Sequence, residues 1–235
     1  MLTIHAAGLL VTGDRRPPVP GGAVLVDGRR IAALGPYGEL VAAHPTARVR
    51  RWPGLLTPGL VNPYGPELLE HAYHPDPREA GELGTAPLVT ADALAALALT
   101  DARRGASARR GVQRMLAHGT VAVTGDLRTP AVRDALHRAG LGTGPRPGVP
   151  AGPPALDPLA GGRSLAEAIL RPLPPVGVSG GTVEGTAQRT DRAAEAAVEA
   201  TFAVFDVPDE AALGERGAAT CVATVVAGRL LHRRR

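Results

Sequence analysis

Lysine is absent from these 235 residues, so all 26 basic positions are arginine. The formal charge of +4 and the pI near 10.1 therefore do not on their own mark a nucleic-acid binder. An all-arginine inventory beside abundant Ala, Gly and Pro fits GC-rich coding, and acids are interspersed with bases, as in DRAAEAAVEA. The one basic run, His232-Arg233-Arg234-Arg235, reads as a solvated tail. Cysteine occurs once, at Cys221, which excludes an intrachain disulfide and a zinc site built on several thiolates. No stretch approaches the roughly 20 unbroken apolar residues of a membrane helix. The opening MLTIHAAGLLVTGDRR lacks the basic n-region of a signal peptide. A cytoplasmic protein without membrane association is expected, long enough for one sizeable core or two small ones.

The first 60 residues read as short strands. LTIHAAGLLVT (2–12) is apolar and extended, and GGAVLVDGRRIAALG carries a hairpin with Asp27-Gly28 suited to a type I′ turn. ARVRRW (47–52) and LLTPGLV add further strands, and together they predict a small β-sandwich. From about residue 90 the period changes. TADALAALALTDARRGASARRGVQRMLAHG predicts a helix stopped at Gly119, followed by a buried strand, TVAVTGD (120–126). TPAVRDALHRAGLG predicts a second helix, with Thr129 as cap, Pro130 in the first turn and Gly140 at the end. Helix, strand, helix is the grammar of a parallel α/β unit.

Residues 141–180 hold nine prolines and eight glycines, the composition of a linker, with SLAEAILRPL (164–173) as a short helix inside it. A helix is predicted over 189–200, a strand at FAVFDV (202–207), and a closing hairpin in CVATVVAGRLLHRR that turns at Ala227-Gly228. The fold class is an α/β (α+β) mixture. Its expected parts are a sandwich from 1–61 with 201–235, an α/β remnant over 62–140, a flexible linker over 141–188, and the helix 189–200.

AVLVDGRRIAALGP (23–36), LLTPGLVNP (55–63), MLAHGTVAVTGD (115–126), FAVFD (202–206) and CVATVVAGRLLHR (221–233) together resemble the amidohydrolase superfamily. The resemblance is to its imidazolonepropionase and aminodeoxyfutalosine-deaminase-like branch. It implies a composite β-sandwich made by both chain ends around a metal-bearing (β/α)8 barrel. It also implies hydrolysis of non-peptide carbon–nitrogen bonds. In that family GLVN is followed by His-x-His, whose side chains, two apart at a strand end, point to one side and grip one ion. Here those positions are Tyr64 and Pro66. A phenol titrating near 10 is a poor zinc ligand, and proline has no side-chain donor. The later histidines that the resemblance implies are also missing, since only His232 follows His137. Moreover, Thr201 comes 136 positions after Gly65 (201 − 65), whereas a complete barrel takes around 250 residues. A truncated barrel is expected.

PELLEHAYHPD gathers Glu67, Glu70, His71, His74 and Asp76. His71, His74 and Asp76 form a two-His-plus-carboxylate candidate for a relocated metal site that activates water. A polar surface turn cut off by Pro75 and Pro77 accounts for the same residues. Asp126, at the end of a parallel strand, is the candidate catalytic carboxylate, without partners of its own. His5 reads as structural and Cys221 as a buried, inert thiol. Neither VSGGTVEGT (178–186) nor Ser179 has the context of a phosphate loop or nucleophile elbow.

Three readings follow. The first is a catalytically degenerate amidohydrolase relative with a binding or assembly role, no cofactor, and a homodimer or protein partner covering the strand edges of the short barrel. The second is an active carbon–nitrogen hydrolase using zinc or iron at a relocated or partner-completed site. The third, an arginine-driven nucleic-acid binder, is the least favoured.

Overall fold

The computed structural model describes residues 1–146, 148, 150, 152–174 and 198–234. The chain opens with β1 (Leu2–Ala6), β2 (Leu9–Leu10), β3 (Val19–Pro20), the hairpin β4 (Gly22–Asp27) and β5 (Arg30–Pro36), helix α1 (Tyr37–Ala43) and β6 (Arg48–Arg51). LLTPGLVN then supplies two strands in different sheets, β7 (Leu55–Pro58) and β8 (Leu60–Asn62). They part at Gly59, where any Cβ would run into the Val121 side chain. Helices α2 (Gly65–Leu69), α3 (Ala80–Leu83), α4 (Ala91–Ala96) and α5 (Asp101–Leu116) lead to β9 (Thr120–Thr124), α6 (Pro130–Ala139), β10 (Gly142–Gly144) and α7 (Leu165–Ala168). After the undescribed stretch come β11 (Phe202–Phe205), α8 (Glu210–Arg216), β12 (Cys221–Val226) and β13 (Arg229–Arg233). Among the described residues no helix is long and apolar enough to cross a membrane.

The expected mixed α/β class and the sandwich drawn from both ends are what the fold displays. A four-stranded sheet has the order β5-β4-β1-β6, and a six-stranded sheet has the order β13-β12-β11-β7-β2-β3. Strand alternation assigns the faces. Leu25 and Ile4 pack under α1 with Leu40, while Val24 and Val26 meet Leu56, Phe202 and Val204 between the sheets. The other face of the six-stranded sheet buries Leu55, Ala203 and Phe205 with Leu213 of α8. A third sheet, β10-β9-β8, is parallel throughout. Helices α5 and α6 cover it through Ala108, Val112, Met115, Val132 and Leu136, which recur at helical spacing. These three strands form a short parallel sheet in the place where a truncated barrel is expected.

Four expectations change. The first hairpin turns on Gly28-Arg29, with Asp27 paired to Arg30, and only Gly28 has positive φ (55°). That is the type II′ pattern, with the positive φ at the first central residue. The long helix is two: Ala98 at φ 44° breaks it, and Thr90 and Thr100 each cap a separate start through Ala93 N and Arg103 N. The Pro/Gly-rich stretch is structured wherever it is described. It supplies β10 and α7, and its Leu170 N donates to Gly59 O, sealing the free edge of β8. Of the helix expected at 189–200, residues 189–197 lie outside the described residues, as do VSGGTVEGT and Ser179. Glu199 forms an extended bridge with Arg30.

Candidate functional site

The carboxyl ends of β8, β9 and β10 face a cleft, the usual place for a site in a parallel α/β sheet. Asn62 closes β8. Its buried side chain accepts from Tyr64 N at 2.9 Å and donates to Ala155 O at 2.9 Å and Leu156 O at 3.2 Å. The segment after residue 152 is thereby tied across the strand end. Tyr64, in the first position where the resemblance implies a histidine, is buried and donates its hydroxyl to Gly152 O. Pro66, in the second, lies against Gly125, where a Cβ would collide with its ring.

Beside them Glu67 and Arg146 form a bidentate pair, Nη1 to Oε1 at 2.8 Å and Nη2 to Oε2 at 2.6 Å. The Arg146 guanidinium holds the Glu67 carboxyl below the usual range against the opposing effect of partial burial. Arg146 Nε is buried without an acceptor among the described residues. Arg163 donates to Val61 O, Pro158 O and Glu167 O, spending its fork on carbonyls. A cavity of about 500 Å³ opens between Val61, Pro63, Thr124, Arg146, Arg163 and Ile169. A second, about 510 Å³, shares Arg146 and adds Asp126, Arg133 and Thr143. The donors at this strand end do not fit a zinc or iron ion, because Asn62 is spent on backbone, Tyr64 on a carbonyl and Glu67 on Arg146.

The candidates from PELLEHAYHPD do not converge. His71 is exposed. His74 is fully buried, with Nε2 at 2.7 Å from Leu68 O. A ring nitrogen facing a carbonyl carries the proton, so Nδ1 is left as an acceptor, and none of the described residues donates to it. Burial pushes this imidazole down to about 4. Its ring fits against α5 because position 111 is glycine; a Cβ there would sit 2.7 Å from Nε2. Asp76 accepts from Arg78 N and pairs with Arg110 at 3.4 Å, capping the turn Pro77–Glu79. Among the described residues no group of three His, Cys, Asp or Glu could hold a metal ion. Asp126 is exposed and paired with Arg128 at 2.8 Å. Burial also pushes His5 down to about 4 and the Cys221 thiol up to about 11.

Sequence reasoning passed over Arg146, and it grouped Glu70 with the candidate donors without the partners that Glu70 has. Glu70 accepts from Arg128 N at 2.7 Å and Thr129 N at 2.6 Å, so it holds the chain at the approach to α6, where Thr129 is the N-cap residue but its hydroxyl makes no capping bond. No local signal marks either contact, since the partners lie 79 and 59 residues apart.

Residues 22–47, the hairpin β4–β5 with α1, match the family model of the imidazolonepropionase-like composite domain of bacteria. No curated protein matches the chain. Among solved structures it is similar to the ochratoxinase of A. niger (22% identity, TM-score 0.42, 61% of this chain and 31% of that one). It is similar also to the aminofutalosine deaminase of Helicobacter pylori (16%, 0.39, 61% and 32%). A third is the triazine hydrolase of Arthrobacter aurescens (17%, 0.44, 61% and 35%). The chain spans about a third of the length of these structures.

Proposed function

We propose, from the composite-domain segment at residues 22–47 and the occupied strand ends behind it, that this chain is a relative of the amidohydrolases that binds without hydrolysing. One observation carries the reading. Where a metal centre would need open donors, Glu67 and Arg146 neutralise each other in a two-bond fork, with Tyr64 and Pro66 closing the space beside them. A carboxylate held ionised by arginine neither shuttles a proton near neutral pH nor offers a free lone pair to an ion. The cleft over the strand ends keeps the room and apolar wall of a binding site. In the same reading, the open edge of the three-residue strand β10 is covered in solution by a second copy or another protein.

The test is elemental analysis of untagged protein purified without chelators, beside a His71→Ala/Asp76→Asn variant. Zinc and iron far below one equivalent in both are expected, with no hydrolysis of cyclic amides or aminopurine nucleosides. About one equivalent in the native chain, lost in the variant, overturns the reading in favour of a metal-dependent carbon–nitrogen hydrolase with a relocated site.

A further inference from the structure

Strand β6 is the outer edge of the four-stranded sheet, paired in parallel to β1 on one side only. Its sequence, Arg48-Val49-Arg50-Arg51, puts three arginines in four residues. Arg233, at the end of β13, joins them by lying over Trp52 at 5.8 Å. None of the four makes an ion pair among the described residues. The cluster is self-repelling: partial burial together with the charges of Arg48 and Arg233 makes Arg50 a weaker base than an ordinary arginine. Val49, in their midst, is one of four exposed large hydrophobic residues among those described.

Among the described residues the backbone of this strand has a free side. Trp52 N donates to Ala6 O of β1 at 2.9 Å. In a strand the N–H and C=O of one residue point to the same side and alternate along the chain. Arg50 and Arg48 therefore also face β1, and Val49 and Arg51 direct their backbone N–H and C=O outward.

We propose that the β6 edge docks an acidic, extended peptide segment of another protein, added as a further strand. Its carboxylates would neutralise the unpaired arginines on both faces, and its backbone would pair with Val49 and Arg51. Charge disfavours a second copy of this chain, because self-pairing would set arginine strand against arginine strand. A nucleic acid fits less well: Arg51 covers the Tyr37 ring at 4.5 Å and Arg233 lies over Trp52, so the aromatic faces that would stack bases are engaged.

The test measures fluorescence polarisation of a labelled peptide of alternating Glu and Val, with a labelled oligothymidylate in parallel. The full chain is compared with Val49→Pro, which removes one outward donor and no charge, and with Arg48→Glu/Arg50→Glu. Far-UV circular dichroism and melting curves establish that both variants fold. The expected result is peptide binding at least tenfold tighter than oligothymidylate, weakened at least tenfold by either variant and by raising NaCl from 50 to 300 mM. No peptide binding overturns the proposal. So does Val49→Pro binding like the native chain, or oligothymidylate binding as well as the peptide, since both make the surface a general polyanion patch. Self-association abolished by Val49→Pro overturns it in favour of a second copy.

Discussion

At pH 7 the rings of His5 and His74 are neutral, each held among the described residues by a single polar neighbour. His5 Nδ1 accepts from Trp52 Nε1 at 3.1 Å, and His74 Nε2 donates to Leu68 O. Both are pushed from 6.5 to about 4 by burial. As pH falls the unfolded chain takes up these protons first. The stability they contribute is therefore complete above pH 6.5 and is lost toward pH 4, at roughly 1.4 kcal/mol per pH unit for each ring. Urea unfolding across this range should show that acid limb. The double variant His5→Asn/His74→Gln, which keeps the acceptor of one and the donor of the other, should flatten it. An unchanged limb would place the titration elsewhere. The sequence marked His5 as structural from its strand setting, and the structure agrees. It grouped His71, His74 and Asp76 by spacing, but spacing carries no information on burial. Gly111 of a distant helix makes the hole that takes the His74 ring inward, while His71, three residues earlier, stays in water.

The two hairpins show what a short element's sequence does and does not settle. Gly-containing turns were legible at both places because positive φ has few tenants. Ala227-Gly228 is a two-residue turn with φ of 48° and 76°, the type I′ pattern. In the first hairpin the pairing shifts between Leu25 and Val26, and the turn moves one residue on, to Gly28-Arg29. That irregularity leaves no trace in a pattern of Ala, Val and Leu. The turns also touch: a Cβ on Gly228 would collide with the Gly28 carbonyl oxygen, whereas one on Gly28 meets nothing within 4 Å. Gly28→Ala should therefore cost only the strain of its positive φ, about 1–3 kcal/mol, and Gly228→Ala the same kind of strain plus a backbone clash, about 2 kcal/mol more. Chemical denaturation of the two variants measures the difference, and equal losses would refute the contact. The break at Ala98 escaped the sequence reading for a related reason. Alanine is the strongest helix former, and only the threonine caps at 90 and 100 pointed to two starts.

For the whole molecule, composition misled over the described residues of 141–174. Many prolines and glycines raise the cost of ordering little when the backbone has partners. Here those partners are Asn62, Tyr64 and Gly59 at one strand's end and edge. Asn62→Ala should release this covering segment, costing about 1–3 kcal/mol for the groups left unsatisfied. Limited proteolysis should then cut between residues 152 and 174 at least tenfold faster, with the sandwich fragments persisting. Equal cutting in both proteins would show the segment is held elsewhere. The closure of the six-stranded sheet has a further consequence, in time. β1, β4, β5 and β6 are all complete by residue 51, so the small sheet can assemble early in synthesis. β7, in contrast, pairs with β11, Leu55 against Phe205. Until the ribosome has made that partner, Leu55 and Leu56 stand on an open apolar edge, and only slow, long-range loop closure can cover them. The nascent chain is thus most exposed to aggregation and most in need of a chaperone in the interval between those two strands.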